Sequence, residues 1–559
     1  MTLPADPLPA FYLPRLPSLV QGGAALLWLP QAALLAWTLQ ALLDGHSWQA
    51  SWLPAGGVLL LGSLRALAEA WGARRMYHAA RAHLSRLRLD AAMALAQRSP
   101  LDRQRTGSGQ AASMLAEQAE AVVPYLVRFQ PARWKVLIVP LFIVAAVLPL
   151  SWVAALVLLI AAPLIPLFMA LVGMGAQAAS RAQMVETGSM NAFLLDRLRG
   201  LATLRALDAI DATASRLAAS AQSLRQRTMR VLRIAFLSSA VLELFSALGV
   251  AMVAAYIGFT LLGTFHFGTW GQTLNLGQGL FILLLAPAFF EPLRELAAVW
   301  HDKAAGVAGL DGLQQLSTAG VRLPGSAMPM PQPVPAPAAP PAITVDQLYY
   351  AHPGEAPLFD GFAMRVHAGE HLALLGASGA GKSTLLALLA GLLPAGRGRI
   401  VIGGVALDDA SINELRQRMA WMGQRPHLFA ASVSQNVTLG RSGADGAQVR
   451  AALQLAKLAG VAQAQPTVML ADGGHGLSGG EAVRLALARV AVLPQTDLLL
   501  VDEPTAHLDS ETAARVTEAL LQLARGKTMI VATHDPVLAA RLHRSVSIGA
   551  DAQVTGAAA

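Results

Sequence analysis

The 559-residue sequence contains no cysteine. That absence excludes a disulfide scaffold, a thiolate zinc site, an iron–sulfur cluster and a cysteine nucleophile. It also leaves no thiol that could form a mixed disulfide with a thiol substrate. Charge is scarce: 14% of residues are charged, against roughly 25% in soluble globular proteins. Hydrophobic residues make up 54% and the mean hydropathy is +0.48. Together these values exclude a disordered chain, a coiled coil and an ordinary cytosolic enzyme.

The scarcity is concentrated. No Asp, Glu, Lys or Arg occurs in residues 16–43, 45–64, 136–180 or 244–290. A membrane-spanning helix needs about 20 mainly apolar residues. The sequence therefore predicts six spans near residues 18–43, 50–71, 134–149, 152–173, 235–262 and 273–291. The first is too long, and too closely followed by others, for a cleaved leader. The turns after spans one, three and five carry no Lys or Arg. The segments after spans two and four are rich in Arg, including Arg74, Arg75, Arg81 and Arg88 in one and Arg197, Arg205, Arg216 and Arg230 in the other. Basic loops stay on the cytoplasmic side, so both termini lie there too. The net charge of +8 is thus a topology signal, and no nucleic-acid partner is expected. Both Arg-rich segments read as helices continuing below the membrane, with turns near residues 107–109 and Gly188.

Residues 324–341 hold eight prolines, which excludes helix and sheet ladders and predicts an extended linker. The expected organisation is a membrane domain at 1–318, a linker at 319–342 and a soluble domain at 343–559. The soluble domain carries an apolar run at 371–375, then Gly376-Ala377-Ser378-Gly379-Ala380-Gly381-Lys382-Ser383-Thr384, then a helical run. This is the G-x-x-x-x-G-K-S pattern between strand and helix, which cradles phosphates on backbone amides. It places Lys382 on the β- and γ-phosphates and the Ser383 hydroxyl on Mg²⁺. A second apolar run ends in Asp502 and Glu503, where Asp502 completes the Mg²⁺ shell and Glu503 polarises the attacking water. Gln424, the stretch Leu477-Ser478-Gly479-Gly480-Glu481 and His534 follow in order.

This ordered set resembles the nucleotide-binding domain of the ATP-binding cassette (ABC) proteins. With six spans ahead of it, the chain resembles a half-transporter: an α-helical six-span transmembrane domain of ABC exporter type fused to an α/β P-loop cassette. The resemblance implies ATP and Mg²⁺ as cofactors, with Ser383, Gln424 and Asp502 around the metal and His534 holding the γ-phosphate. It implies pairing with a second cassette, so that Ser478, Gly479 and Gly480 meet the partner's ATP. It also implies an aromatic platform for adenine, at His352 or Tyr350. The family's signature usually ends in Gln where Glu481 stands, and a small residue is common where His507 stands. Both departures imply two unequal ATP sites.

Residues 229–243, residues 285–295 and Trp300-His301-Asp302-Lys303 are similar to the CydD-type subunits of the CydDC exporter family, which supports cytochrome bd assembly. Ala288 stands where that family often has an acidic residue. The resemblance implies a bacterial inner membrane, a heterodimer with a CydC-like half-transporter, and a small-molecule cargo that is a thiol (cysteine or glutathione) or haem. Alternatives are a homodimeric exporter of lipid, peptide or drug, and an ATP-gated channel or sensor. Charges within the spans mark candidate substrate-path residues. They are Arg65 and Glu69, four apart on one helix face, and Glu243 in span five, with His301 just below span six.

Overall fold

The computed structural model describes residues 15–163, 200–549 and 554–556, except 272, 319, 329–338, 425, 442, 443, 472, 473, 475 and 494, with scattered positions between 186 and 198. The turn expected near Gly188, the end of the fourth span and residues 319 and 329–338 of the proline-rich linker lie outside the described residues. The chain forms two compact units. One comprises Met1–Ala91 and Gly107–Ser317, the other Ala92–Thr106 and Thr318–Ala559.

The first unit is helical: α1 (Arg15–Leu26), α2 (Trp28–Leu43), α3 (Trp52–Gln97), α4 (Ser108–Ala116), α5 (Gln130–Val147), α6 (Trp152–Pro163), α7 (Ile210–Leu261), α8 (Leu276–Ala298) and α9 (Trp300–Ser317). Among the described residues, five helical stretches are long and apolar enough to cross a membrane: Leu16–Leu43, Trp48–Gln97, Ser108–Val147, Ala240–Leu261 and Leu276–Ser317. The described part of a sixth is the shorter apolar helix α6. The chain is a multi-pass membrane protein. Helices α3 and α7 have 46 and 52 residues, about 70 and 80 Å at 1.5 Å per residue. A hydrocarbon core of about 30 Å therefore accounts for less than half of either.

Helix α8 forms the middle of the membrane core. Its buried face, Ile282, Leu285, Phe289 and Phe290, packs with Ile143, Val253 and Ile257. The fit against α7 is close: a Cβ on Gly249 would lie 2.5 Å from Phe290 Cζ. Two interruptions meet nearby. Residues Tyr125–Phe129 form a π-helical turn, and Val299 separates α8 from α9. The Phe129 and Trp300 rings meet edge-on at 6.0 Å. Arg128 pairs with Asp302 at 3.2 Å, and the Lys303 ammonium lies over both rings.

The second unit has two sheets. One is antiparallel, ordered β2-β1-β4-β5, from β1 (Ile343–Ala351), β2 (Pro357–Val366), β4 (Arg397–Ile402) and β5 (Val405–Ala406). The other is ordered β10-β9-β3-β8-β7-β6, from β3 (His371–Leu375), β6 (Met419–Met422), β7 (Leu498–Asp502), β8 (Thr528–Ala532), β9 (Arg544–Ile548) and β10 (Val554–Gly556). Strands β7 and β8 are buried along their whole length, which explains their unbroken apolar sequences. Residues 92–106, expected within the membrane half, pack in this unit. The Ser99 hydroxyl donates to Leu392 O at 2.6 Å, Ser99 N–H to Val321 O at 2.8 Å, and Val321 N–H to Asp102 Oδ2 at 3.1 Å.

Candidate ATP site

Strands β3, β8, β7 and β6 are parallel neighbours that end on one edge of the larger sheet. The register sets Leu374 beside Ala532, Val531 beside Val501, and Val501 beside Met422. Residues that follow these strands must arrive together. They are the loop 376–381 after β3, His534 after β8, Glu503 after β7 and Gln424 after β6. In open parallel sheets that edge is where ligands bind. A cleft of about 870 Å³ opens there, lined by Ser378, Gly379, Gly381, Lys382, Ser383, Thr384, Gln424, Glu503, His534 and His352.

The loop requires glycine. Gly376 has φ +149°, and a Cβ there would lie 2.6 Å from Ile548 O. Gly381 has φ +97°, and a Cβ there would lie 2.9 Å from Phe359 Cζ. Neither position accepts a side chain. Helix α10 (Lys382–Leu389) starts directly after the loop, so its first N–H groups are free for an anion.

Lys382 uses all three ammonium hydrogens locally. Nζ lies 2.7 Å from Gly376 O, 3.2 Å from Ala377 O and 3.0 Å from His534 Nε2. Burial pushes its pKa down, while the Glu503 and Asp502 carboxylates oppose that. His534 Nε2 is also 3.2 Å from Glu503 Oε1. One ring nitrogen cannot accept from Lys382 and donate to Glu503 at once. While Lys382 is charged and in this position, Nε2 accepts, and Glu503 is held through the His534 backbone N–H at 3.3 Å. Glu503 has φ +49°, a left-handed conformation that costs a non-glycine residue roughly 1–2 kcal/mol. That turn ends β7 with the Glu503 carboxylate beside His534, an outlier of the kind that clusters at active sites.

Asp502 lies beneath the cleft at 6% exposure, and its Oδ1 has no hydrogen-bond partner among the described residues. Burial raises its pKa, and a hydrogen bond from Ser383 and the charge of Lys382 oppose the rise. An orphaned, buried carboxylate oxygen next to a hydroxyl fits a hard cation. No group of three or more His, Cys, Asp or Glu gathers for a metal among the described residues. The donor set is therefore sparse, as Mg²⁺ sites are when nucleotide phosphates supply the other oxygens.

On the base side, His352 lines the cleft and Tyr350 does not. Tyr350 is 5% exposed, its ring stands edge-on to His352 at 5.1 Å, and its hydroxyl lies 3.2 Å from His352 Nδ1. Burial, then the charge of Arg103, lowers the His352 pKa, which keeps a neutral ring face for stacking. Arg103 and Glu355 pair and both line the cleft. Sequence reasoning missed them, because 252 residues separate the partners and neither belongs to a local motif.

Ser478, Gly479 and Gly480 do not line this chain's cleft. Ser478 caps helix α11 (Gly479–Ala491) in a reciprocal capping box: Ser478 N–H donates to Glu481 Oε2 at 2.8 Å, and Glu481 N–H to Ser478 Oγ at 3.3 Å. The carboxylate at 481 thus has a local role, which a Gln side chain could also fill. In the membrane unit, Arg65 pairs with Glu69 at 3.1 Å. Glu243 pairs with Arg294 on α8, and His301 is exposed in the first turn of α9.

Comparison with known proteins agrees with this geometry. Residues 359–506 match the family described as ABC transporter, and residues 23–292 match the ABC transporter transmembrane region. The chain is 36% identical to the glutathione/L-cysteine transport system ATP-binding/permease protein CydD of Escherichia coli K12, over 91% of this chain and 87% of that one. It is also 36% identical to the transport ATP-binding protein AarD of Providencia stuartii, over 93% and 88%. Against CydC of Bacillus subtilis the identity is 30%, over 77% and 73%. The structure of a bacterial Atm1-family ABC exporter with ATP bound superposes with a TM-score of 0.71 at 21% identity, covering 97% of this chain and 94% of that one, which shows the shared fold.

Proposed function

The chain belongs to the ABC exporter half-transporters of the CydD type, and from that premise we propose that it pairs with a CydC-like half-transporter in a bacterial inner membrane. Its cargo in this reading is a thiol reductant, cysteine or glutathione, moved out of the cytoplasm in support of cytochrome bd assembly. The observation that carries the ATP-driven cycle is His534 within 3.0–3.3 Å of both Lys382 and Glu503 at one sheet edge. The relatives' printed function supports the cargo.

ATP enters with its base on His352 and its phosphates over the loop 376–381. Lys382 exchanges the Gly376 and Ala377 carbonyls for β- and γ-phosphate oxygens. His534 Nε2, released from Lys382, is free to carry the ring N–H and donate it to the γ-phosphate. Glu503 orients the attacking water and accepts its proton. Ser383, Gln424 and Asp502 are the residues that hold Mg²⁺, which supplies charge neutralisation at the phosphates when bound. Ser478 and Gly480 face the partner's ATP. Glu481 places a carboxylate near that γ-phosphate, so the partner's site is the weaker one.

Two measurements test this reading. In a complex whose own-chain site is silenced by Glu503→Gln, adding Glu481→Gln raises the remaining ATP turnover about two- to five-fold, the weight of one charge at a helix terminus. Unchanged turnover would refute the unequal-site assignment. For cargo, the two-chain complex in lipid is titrated with cysteine, glutathione and haem while ATP hydrolysis is followed. Saturable stimulation by a thiol is the expected result. A response to haem alone reassigns the cargo, and an active single-chain homodimer with no response to any of them rejects the CydD-type reading.

A further inference from the structure

Arg103 and Glu355 line the nucleotide cleft, and none of the ATP steps above uses either. Arg103 is fixed at both ends. Its backbone belongs to a pinned segment. The Asp102 carboxylate, 2% exposed, pairs with Arg98 at 3.3 Å. It also accepts from Gln104 N–H at 3.0 Å and Val321 N–H at 3.1 Å. The Arg103 guanidinium is held at its far end by the Glu355 carboxylate. Glu355 sits in the turn that carries His352, where Glu355 N–H donates to His352 O at 3.0 Å. A second cavity, of about 110 Å³, lies between residues 101–104 and this turn, and Arg103 and His352 both line it. The guanidinium is therefore a neighbour of the imidazole, and after burial its charge is the next cause that lowers the ring pKa.

The Arg103–Glu355 pair does little for stability where it stands. Its side chains are 61% and 52% exposed, and an ion pair that open stabilises a fold only slightly. Its chemistry suits a ligand of one kind. Glu355 balances the charge, so the pair is a poor site for an anion. The bond to Glu355 uses the edge of the guanidinium and leaves its planar faces unengaged. Such a face stacks on a nucleobase as it does on an aromatic side chain. His352 supplies only a five-membered ring, a smaller platform than a tyrosine ring. A purine is wider than that ring, and the planar group next to His352 in the cleft is the Arg103 guanidinium.

We propose that Arg103 is a nucleotide-binding residue whose guanidinium stacks on the base of ATP beside His352, with Glu355 holding it in plane. The base platform is then built from two stretches of chain, the turn 352–355 and the segment 92–106. The proposal rests on the reading that sets the base on His352, and it deepens that reading. A platform of this width favours a purine over a pyrimidine.

The test uses the two-chain complex in lipid. Radiolabelled 2-azido-ATP is cross-linked by light, and labelling is read on this chain after electrophoresis separates the subunits. Displacement by ATP is compared with displacement by ribose 5-triphosphate, which keeps the sugar and phosphates but lacks the base. The ratio of the two affinities isolates base binding from folding and from phosphate binding. Arg103→Ala should lower that ratio about two- to ten-fold, the range of a cation–π contact from exposed to partly desolvated. Arg103→Lys keeps the charge without the plane and should recover only part. His352→Ala should lower the ratio about five- to 20-fold, the loss of a stacking ring. An unchanged ratio in Arg103→Ala beside a lowered one in His352→Ala overturns the role of Arg103 and leaves the base on His352. The reverse result supports Arg103 and rejects His352 as platform. Unchanged ratios in both variants overturn both assignments. Full recovery in Arg103→Lys, or equal losses for ATP and ribose 5-triphosphate in Arg103→Ala, overturns the stacking role.

Discussion

Glu503→Gln lowers ATP hydrolysis at its own site by roughly 100- to 10,000-fold, the usual contribution of a positioned general base, and leaves ATP binding nearly intact. The expectation follows from the division of contacts. Phosphate binding falls to the loop 376–381, Lys382 and the start of α10, none of which Glu503 supports. Glu503 instead touches only His534 among these groups, through the ring at 3.2 Å and the backbone N–H at 3.3 Å. The amide of Gln can still accept that N–H but cannot accept a proton from water. Hydrolysis is measured in the two-chain complex and binding with labelled ATP under the same conditions. Turnover at the wild-type rate would remove Glu503 from the chemistry. Loss of binding would mean that its left-handed turn shapes the phosphate cradle itself.

Asp497→Ala unfolds the cassette unit about 10 °C earlier. Arg418 donates from Nε and Nη2 to one Asp497 oxygen at 3.0 and 2.6 Å, with side chains 19% and 12% exposed. Backbone bonds fix both ends: Asp497 N–H donates to Arg418 O at 3.0 Å, and Thr528 N–H to Asp497 O at 2.9 Å. The pair therefore ties the starts of β6, β7 and β8, at the end of the sheet away from ATP. Truncation leaves a guanidinium buried without its counter-ion, a loss of about 3–5 kcal/mol. For a unit of this size each kcal/mol moves the midpoint by about 2–4 °C. Differential scanning fluorimetry of the purified chain checks the shift. Asp497→Asn should recover part of it, because the amide oxygen still accepts. A midpoint within 2 °C of wild type would show that the pair is dispensable.

The ATP site was legible because its parts obey local rules. A phosphate loop needs glycines at fixed spacing between a strand and a helix, and the loop at 376–381 meets that rule with φ values only glycine adopts freely. The order of the strands, β3-β8-β7-β6, could not be read from spacing, although it is what brings His534 to Glu503. The choice between His352 and Tyr350 stayed open in the sequence for a geometric reason. Irregular pairing around Leu348 and Tyr350 spoils simple alternation, and Tyr350 turns into the core while His352 lies past the strand end. Arg103 and Glu355 gave no local signal, because a salt bridge between distant segments leaves no periodic trace. Glu243 drew notice as a charge at the edge of an apolar run, but its partner Arg294 is 51 residues away.

The cassette unit crosses the chain at three places, after Ala91, Thr106 and Ser317. It is therefore not a cartridge that can be exchanged by one cut in the gene. A chimera that replaces residues 343–559 with a relative's segment inherits Ser99 and Arg103 from the wrong parent. These must then match a foreign Leu392 carbonyl and a foreign carboxylate at position 355. Substitution in any one of these places is constrained by the others across more than 200 residues of intervening sequence. The unit of inheritance for this half-transporter is the assembled pair of segments, and recombination within it should succeed only when residues 92–106 travel with the cassette they complete.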